Sequence, residues 1–259
     1  MSEDKRNPFN YPINPAFGKG TYRRRILLVQ HNGYVSGDLE DCNHGFSVKV
    51  FHDNTHITAI DAQHHRIPYT TCGGAREPLM KLQGLPLGLT SQEVASQVNI
   101  RGNCTHWLDL TLLAIRHVRC KKTVRQYDIE VPDETDTATL AKIFRDGELI
   151  LEWPIKDWVI QEPNLLAGKG IYKGFSAWAN QEFTDEDLKE AAFALQKGYF
   201  VSRARRFDLE NLAGESAKAH PSMTNACYTY SEPQASKGVR TCDSIRDFTD
   251  TPEELLKFL

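Results

Sequence analysis

Polar and apolar positions alternate between two periods along the chain. Arg25–Gln30 (RILLVQ) is an apolar run closed by His31-Asn32-Gly33, and an Asn-Gly pair tolerates the positive φ of a tight turn. Tyr34–Glu40 reads as the return strand. Phe46–Phe51 (FSVKVF) alternates apolar and polar, the period of a half-buried strand. Asp53-Asn54 turns the chain again, and His56–Gln63 is the next strand, so turn chemistry at hairpin spacing predicts an antiparallel meander of four strands.

The period then becomes helical. Arg76–Gln83 is a short helix closed by Gly84. Thr90-x-x-Glu93 is a capping box, in which hydroxyl and carboxylate satisfy two free N–H groups, and it opens a helix over Ser91–Val98. Cys104–Val118 is the strongest helix: Trp107, Leu110, Ala114 and Val118 recur at three- and four-residue steps, with Asn103 as its N-cap. Strand period returns over Thr123–Val131. Ala141–Arg145 and Leu149–Trp153 flank Asp146-Gly147, a hairpin signal, and Ile155–Ile160 continues extended. Ala167–Gly174 is a glycine-rich loop. Thr184-x-x-Asp187 starts a helix with a Leu188, Ala191, Ala192, Leu195 stripe and Gly198 as a left-handed C-terminal cap. Arg203–Arg206 (RARR) is a solvated basic run. Residues 211–240 read as a strap over the sheet. Thr251-Pro-Glu-Glu starts a last helix with Leu255, Leu256 and Leu259 as its apolar face.

These elements give an α+β protein: antiparallel sheets covered by helices, in two packed strand–helix parts. The boundaries are an extended arm over 1–20, a first part over 21–122 and a second over 123–259. The chain has 259 residues, 40% hydrophobic and 25% charged, at a net charge of -3. That balance fits a globular core and argues against a nucleic-acid partner, which asks for a basic excess. No apolar run reaches the roughly 18 residues that a membrane span needs, and the start lacks the apolar core of a secretory leader, so a cytoplasmic location is expected.

Six cysteines (42, 72, 104, 120, 227, 242) stand at long irregular gaps without a CxxC pair. A zinc ribbon and a disulfide framework are both disfavoured, and most of these thiols read as small buried hydrophobes. The nine histidines show no HExxH or HxH spacing, so no metal is assigned. His64 and His65 are adjacent in a strand and point to opposite faces.

One place concentrates chemistry. Cys104 stands at a helix start, where free N–H groups and the helix dipole stabilise a thiolate, and Arg101 adds positive charge. His106 lies about 200° round the helix from Cys104 at 3.6 residues per turn, which separates the two faces. Gly73-Gly74 beside Cys72 permits close backbone approach to a ligand. Tyr228, Tyr230 and Arg240 sit in a region of little regular structure, and tyrosine with arginine can bind a phenol or a carboxylate. Gly168-Lys169-Gly170 is not a phosphate loop, since GxxxxGK[ST] is missing.

The run Arg66-Ile-Pro-Tyr-Thr-Thr-Cys72, then Leu82–Leu87 (LQGLPL), then Arg101-Gly-Asn-Cys-Thr-His106 with Asp109-Leu110, resembles a bacterial domain-of-unknown-function family, number 2889, marked by a Cys-Thr-His helix start. Leu166-Ala-Gly168, Gly174-Phe175 with Trp178, Cys227-Tyr228 and Arg246-Asp247-Phe248 extend the likeness over roughly residues 20–250. It implies a small organic substrate, since members are associated with catabolism of aromatic and other hydrophobic compounds. The middle is also distantly similar to the iron–sulfur scaffold and sulfur-acceptor fold, with Cys72 and Cys104 in two thiol positions and Cys42 approximating a third.

The expectation is a cofactor-independent acid–base enzyme of lyase or hydrolase type, acting on a small phenolic molecule, with a homodimer as its assembly. Catalysis falls to His106, Cys104 and Tyr228, and substrate binding to Tyr69, Arg101, Tyr230 and Arg240. Two alternatives stand beside it: a metal or sulfur-carrier scaffold using Cys42, Cys72, Cys104 and His106, and a non-catalytic binding subunit.

Overall fold

The computed structural model describes residues 11–258; the first half of the expected 1–20 arm and Leu259 lie outside them. Its centre is one antiparallel sheet of eight strands in the order β4-β3-β2-β1-β5-β6-β7-β8. The strands are β1 (Thr21–His31), β2 (Tyr34–Asp41), β3 (Gly45–His52), β4 (Ile57–Arg66), β5 (Val124–Pro132), β6 (Thr139–Arg145), β7 (Glu148–Lys156) and β8 (Val159–Ile160). The predicted four-strand meander is present. Two of its three turns have a residue in the left-handed region where one was expected, Gly33 at φ 83° and Asn54 at φ 74°.

The expected halves are built on one continuous sheet. β1 pairs with β2 on one side and with β5 on the other, from Thr21 opposite Pro132 to Val29 opposite Val124. Alternation then decides the faces. Tyr22, Arg24, Ile26 and Leu28 are buried, with Tyr127, Ile129 and Val131 on the same side. The intervening Arg23 and Arg25 pair with Glu130 and Asp128 on the other face.

The helices are α1 (Arg76–Leu79), α2 (Ser91–Gln97), α3 (Thr105–His117), α4 (Phe175–Glu182), α5 (Glu186–Ser202) and α6 (Gln234–Lys237). The Thr90–Glu93 capping box is formed in both directions. α3 lies over β1–β3 and α5 over β5–β7, on the same face. Gly37 meets Leu110 of α3, and Gly198 of α5 meets Ile129. Asp109 and Lys197, 3.2 Å apart, join the two helices.

Several local expectations are corrected. Gly198 sits in the middle of α5 rather than at its end, because a bare Cα is what lets the helix approach Ile129: a Cβ there would stand 2.6 Å from Ile129 Cγ2. The N-cap of α5 is Asp185, whose side chain accepts from Leu188 N–H. Cys104, not Asn103, caps α3, and the Asn103 amide instead donates to Asn99 O at 2.8 Å. The extended reading of 155–160 breaks at Asp157-Trp158, where two consecutive positive φ values make a tight turn. RARR is not a solvated run: Arg205 and Arg206 are buried, and Arg205 binds Asp133 at 2.9 Å and Asp247 at 3.0 Å. The final helix is a single turn over Pro252–Glu254. α4, packed through Phe175 and Ala179, follows the glycine-rich loop where no helix was expected.

Candidate functional site

The turn between β2 and β3, Asp41-Cys-Asn-His44, closes on its own aspartate. Asp41 is fully buried and accepts six hydrogen bonds: from Tyr22 Oη, from Arg24 Nε and Nη2, from the Asn43 and His44 backbone N–H groups, and from His44 Nδ1. Burial pushes its carboxyl up, but His44 and Arg24 outweigh that and hold it well below the ordinary carboxylate range. Asp41 is therefore an ionised anchor.

Arg66, at the end of β4, fastens this turn from behind. Its guanidinium donates to the carbonyls of Asp41, Cys42 (2.8 Å) and His44 (3.2 Å), and to Glu40 Oε1 at 3.0 Å. A planar fork with several donors can hold three carbonyls of one turn at once.

His106, in the first turn of α3, stacks on His44 with ring centroids 3.8 Å apart and planes 27° from parallel. Phe46 flanks both rings, at 5.8 and 6.1 Å. Burial drives His106 well below its ordinary imidazole value, and the neighbouring His44 and Arg24 add to the shift. The result is a neutral imidazole stacked on one oriented by a carboxylate.

The Asp41-x-x-His44 pair was missed in the sequence. Its signal was a polar Asx-type turn between two apolar strands, which also reads as an ordinary connection. Asp41, His44 and His106 each offer a ligand atom within 4.8 Å of the others, which no other three His, Cys, Asp or Glu residues do among the described residues. Cys42, Cys72, Cys104 and His106 therefore do not form one ligand set.

The other sequence candidates form two further groups. Cys104 starts α3, with Arg101 exposed just before it. The segment 227–231 docks there by backbone: Tyr228 N–H donates to Asn103 O at 2.9 Å, and Ser231 Oγ to Arg101 O at 3.1 Å. The expected low thiol pKa of Cys104 is reversed. N–H groups of the first turn do reach its sulfur, but burial dominates and pushes the thiol up. Burial likewise pushes the Cys72 thiol up to about 11. Gly73 and Gly74 admit the protein's own side chains: Cβ atoms there would stand 2.8 Å from His64 Cε1 and 2.6 Å from Tyr228 Oη.

Tyr69, Tyr230 and Arg240 do come together. Tyr230 Oη donates to Tyr69 Oη at 3.2 Å, and the Arg240 guanidinium lies 5.2 Å from the Tyr69 ring centre. His220 joins through its ring, 6.3 Å from Tyr69, and bonds Tyr11 Oη. Tyr69 and Arg240 are 2% and 6% exposed, so the group is tightly filled. Arg240 is further tied to Leu209 O at 3.0 Å. The residues bet on together thus divide: His106 faces the Asp41 turn, while Tyr69, Tyr230 and Arg240 make a separate aromatic cluster.

Residues 32–119 match the family model described as a protein of unknown function (DUF2889), the family that the sequence resembles. The match contains Asp41, His44, Arg66 and His106 and stops before β5. No curated protein matches the chain. Among the described residues, no helix is long and apolar enough to cross a membrane.

Proposed function

We propose that this protein is an acid–base enzyme of lyase or hydrolase type, working without a cofactor on a small phenolic molecule, with the proton moved at the Asp41–His44–His106 cluster. The observation that carries the reading is the Asp41 Oδ1 to His44 Nδ1 contact of 3.1 Å beneath the 3.8 Å stack of His44 on His106. With Nδ1–H held by Asp41, the His44 tautomer that acts as base carries its lone pair on Nε2. Nε2 takes the phenolic proton, and the electrons released into the ring expel a leaving group from the substituent. Asp41 stabilises the resulting imidazolium while remaining ionised itself. His106, kept neutral, donates N–H to the developing anion. Two stacked rings cannot both carry charge cheaply, so the pair divides the roles of base and donor. The phenolic class rests on the family resemblance.

The test is to incubate the protein with a plant phenolic extract and follow the products by mass spectrometry. A product made by the wild type and lost in both H44N and H106Q supports the reading; a product formed equally by both variants removes it.

A second reading, a divalent metal held by Asp41, His44 and His106, is favoured by their ligand atoms lying within 4.8 Å. Against it, imidazole lone pairs lie in the ring plane, and stacked rings aim theirs side by side rather than at one point. Both Asp41 oxygens are also already taken by donors. Calorimetric titration with zinc decides it: stoichiometric binding abolished in H106Q favours the metal. The acid–base reading also takes the protein as cytoplasmic and a homodimer, and a monomer by sedimentation velocity would remove the latter.

A further inference from the structure

The sheet face turned away from α3 and α5 carries a second cluster. Ser47 on β3 stands opposite Asp38 on β2 and next to His65 on β4. Its Oγ donates to Asp38 Oδ1 at 2.5 Å and meets His65 Nε2 at 2.7 Å. One hydroxyl is thus held between a carboxylate that takes its proton and an imidazole whose N–H points at its oxygen. Burial pushes Asp38 up from its ordinary value, which makes its carboxylate a stronger base than a surface one.

A lid covers this cluster. Phe258 stacks on His65 with centroids 4.0 Å apart and planes 19° from parallel. Its ring also lies against Gly45, where a Cβ would stand 3.3 Å from Phe258 Cε1. The lid is clamped one step back: Leu256 N–H donates to Glu40 Oε2 at 2.6 Å, with Leu256 at φ 69°. A leucine in the left-handed region is strained and persists only when its surroundings impose it. The segment is therefore held in a strained backbone by the Glu40 contact and by the burial of Leu255 and Leu256.

We propose that Ser47 is a nucleophile toward small carboxylic esters, with Asp38 as its base, His65 as the donor that orients its oxygen, and the segment 252–258 as the lid. As Ser47 Oγ bonds to the ester carbonyl carbon, its proton passes to Asp38. The ester C–O bond then breaks, and Asp38 returns the proton to the departing alkoxide. Water releases the acid by the same route, its proton passing through Asp38 back to Ser47. The site shares no residue with the Asp41 cluster, so each proposal can fail alone.

The probe is an alkyl fluorophosphonate, where Oγ–P forms, P–F breaks and the proton again goes to Asp38. Labelling is expected in the wild type, faster in F258A, and lost in S47A and D38N. Peptide mass spectrometry on the labelled wild type names the modified residue, which guards against a misfolded variant. Label on any residue other than Ser47, or none in either wild type or F258A, overturns the proposal.

Discussion

The cluster around Asp41 beneath α3 and the cluster around Glu190 beneath α5 each bury a carboxylate between a helix and the sheet. Glu190 accepts from Tyr127 Oη at 2.5 Å and is bridged by Arg116 at 3.1 Å and Arg125 at 3.6 Å, with Asp187 sharing both arginines. Burial leaves its carboxyl above the ordinary value despite Arg116 and Tyr127. Asp41 meets the same penalty, but His44 and Arg24 carry it the other way. The partners explain the difference in use. Around Glu190 they are arginines and a phenol, which keep their protons at any ordinary pH, so the group is a cross-link between α3, α5 and β5. Around Asp41 one partner is an imidazole, stacked on a second, and a neutral imidazole, unlike a guanidinium or a phenol, offers an N–H on one nitrogen and a lone pair on the other.

The largest effect that would test this contrast is the loss of Asp41 itself. Removing one partner of a buried pair costs roughly 3–5 kcal/mol, so Asp41→Ala should lose about that in urea unfolding at pH 7. Glu190→Gln keeps the Tyr127 bond and should lose less. Their pH dependences should be opposite. Asp41 is depressed, so its contribution is full above its ordinary 3.8 and disappears as pH falls from there toward its folded value. Glu190 is raised, so the fold binds its proton more tightly than the unfolded chain does. Its ionisation therefore costs stability as pH rises from 4.5 through the folded value, and Glu190→Gln should flatten that limb. Equal losses and parallel pH profiles would make the two clusters one kind of thing.

The same contrast separates what sequence could show from what it could not. His106 stood out because a Cys-Thr-His helix start is local, and local signals survive in one dimension. Asp41 and His44 did not, because a polar turn acquires meaning only when α3 returns over it some sixty residues later. Strands and hairpins were legible since alternation and Asn-Gly or Asp-Gly turns are short-range. Gly198 was misplaced because a glycine reserved for close packing and a glycine reserved for a positive φ look alike in sequence. Arg205 was misread for a similar reason: its partners Asp133 and Asp247 are far away in the chain.

A smaller effect compares how the two helices are seated. Gly198 lies in α5 against Ile129 of the sheet, and Gly37 lies in the sheet against Leu110 of α3. A Cβ at 198 would be 2.6 Å from a methyl of the buried Ile129, whereas at 37 the nearest atoms are 3.2 Å away. Overpacking of this kind costs about 1–3 kcal/mol, offset in a helix by the roughly 0.5–1 kcal/mol that alanine gains over glycine. Gly198→Ala should still destabilise measurably by urea unfolding, and Gly37→Ala less. The reverse order would mean that α3 is the more tightly seated helix.

The smallest effect at neutral pH is expected from His106→Gln, and its interest lies in the slope. His106 is neutral in the fold because burial opposes its charge, while the unfolded chain takes up a proton below 6.5. Its folded value being depressed, the contribution is complete above 6.5 and disappears as pH falls through that point. Between pH 7.5 and 5.5 the wild type should lose about 1.4 kcal/mol on this account, one decade of proton binding by the unfolded state alone. His65, His117 and His220, all depressed by burial, add to the loss in wild type and variant alike, so they cancel in the difference. Glutamine has no proton to bind, and His106→Gln should show the shallower profile by that amount. A variant with the wild-type slope would mean that His106 takes up its proton in the fold as readily as in the unfolded chain, and a ring that charges so easily could not serve as the neutral donor of an acid–base pair.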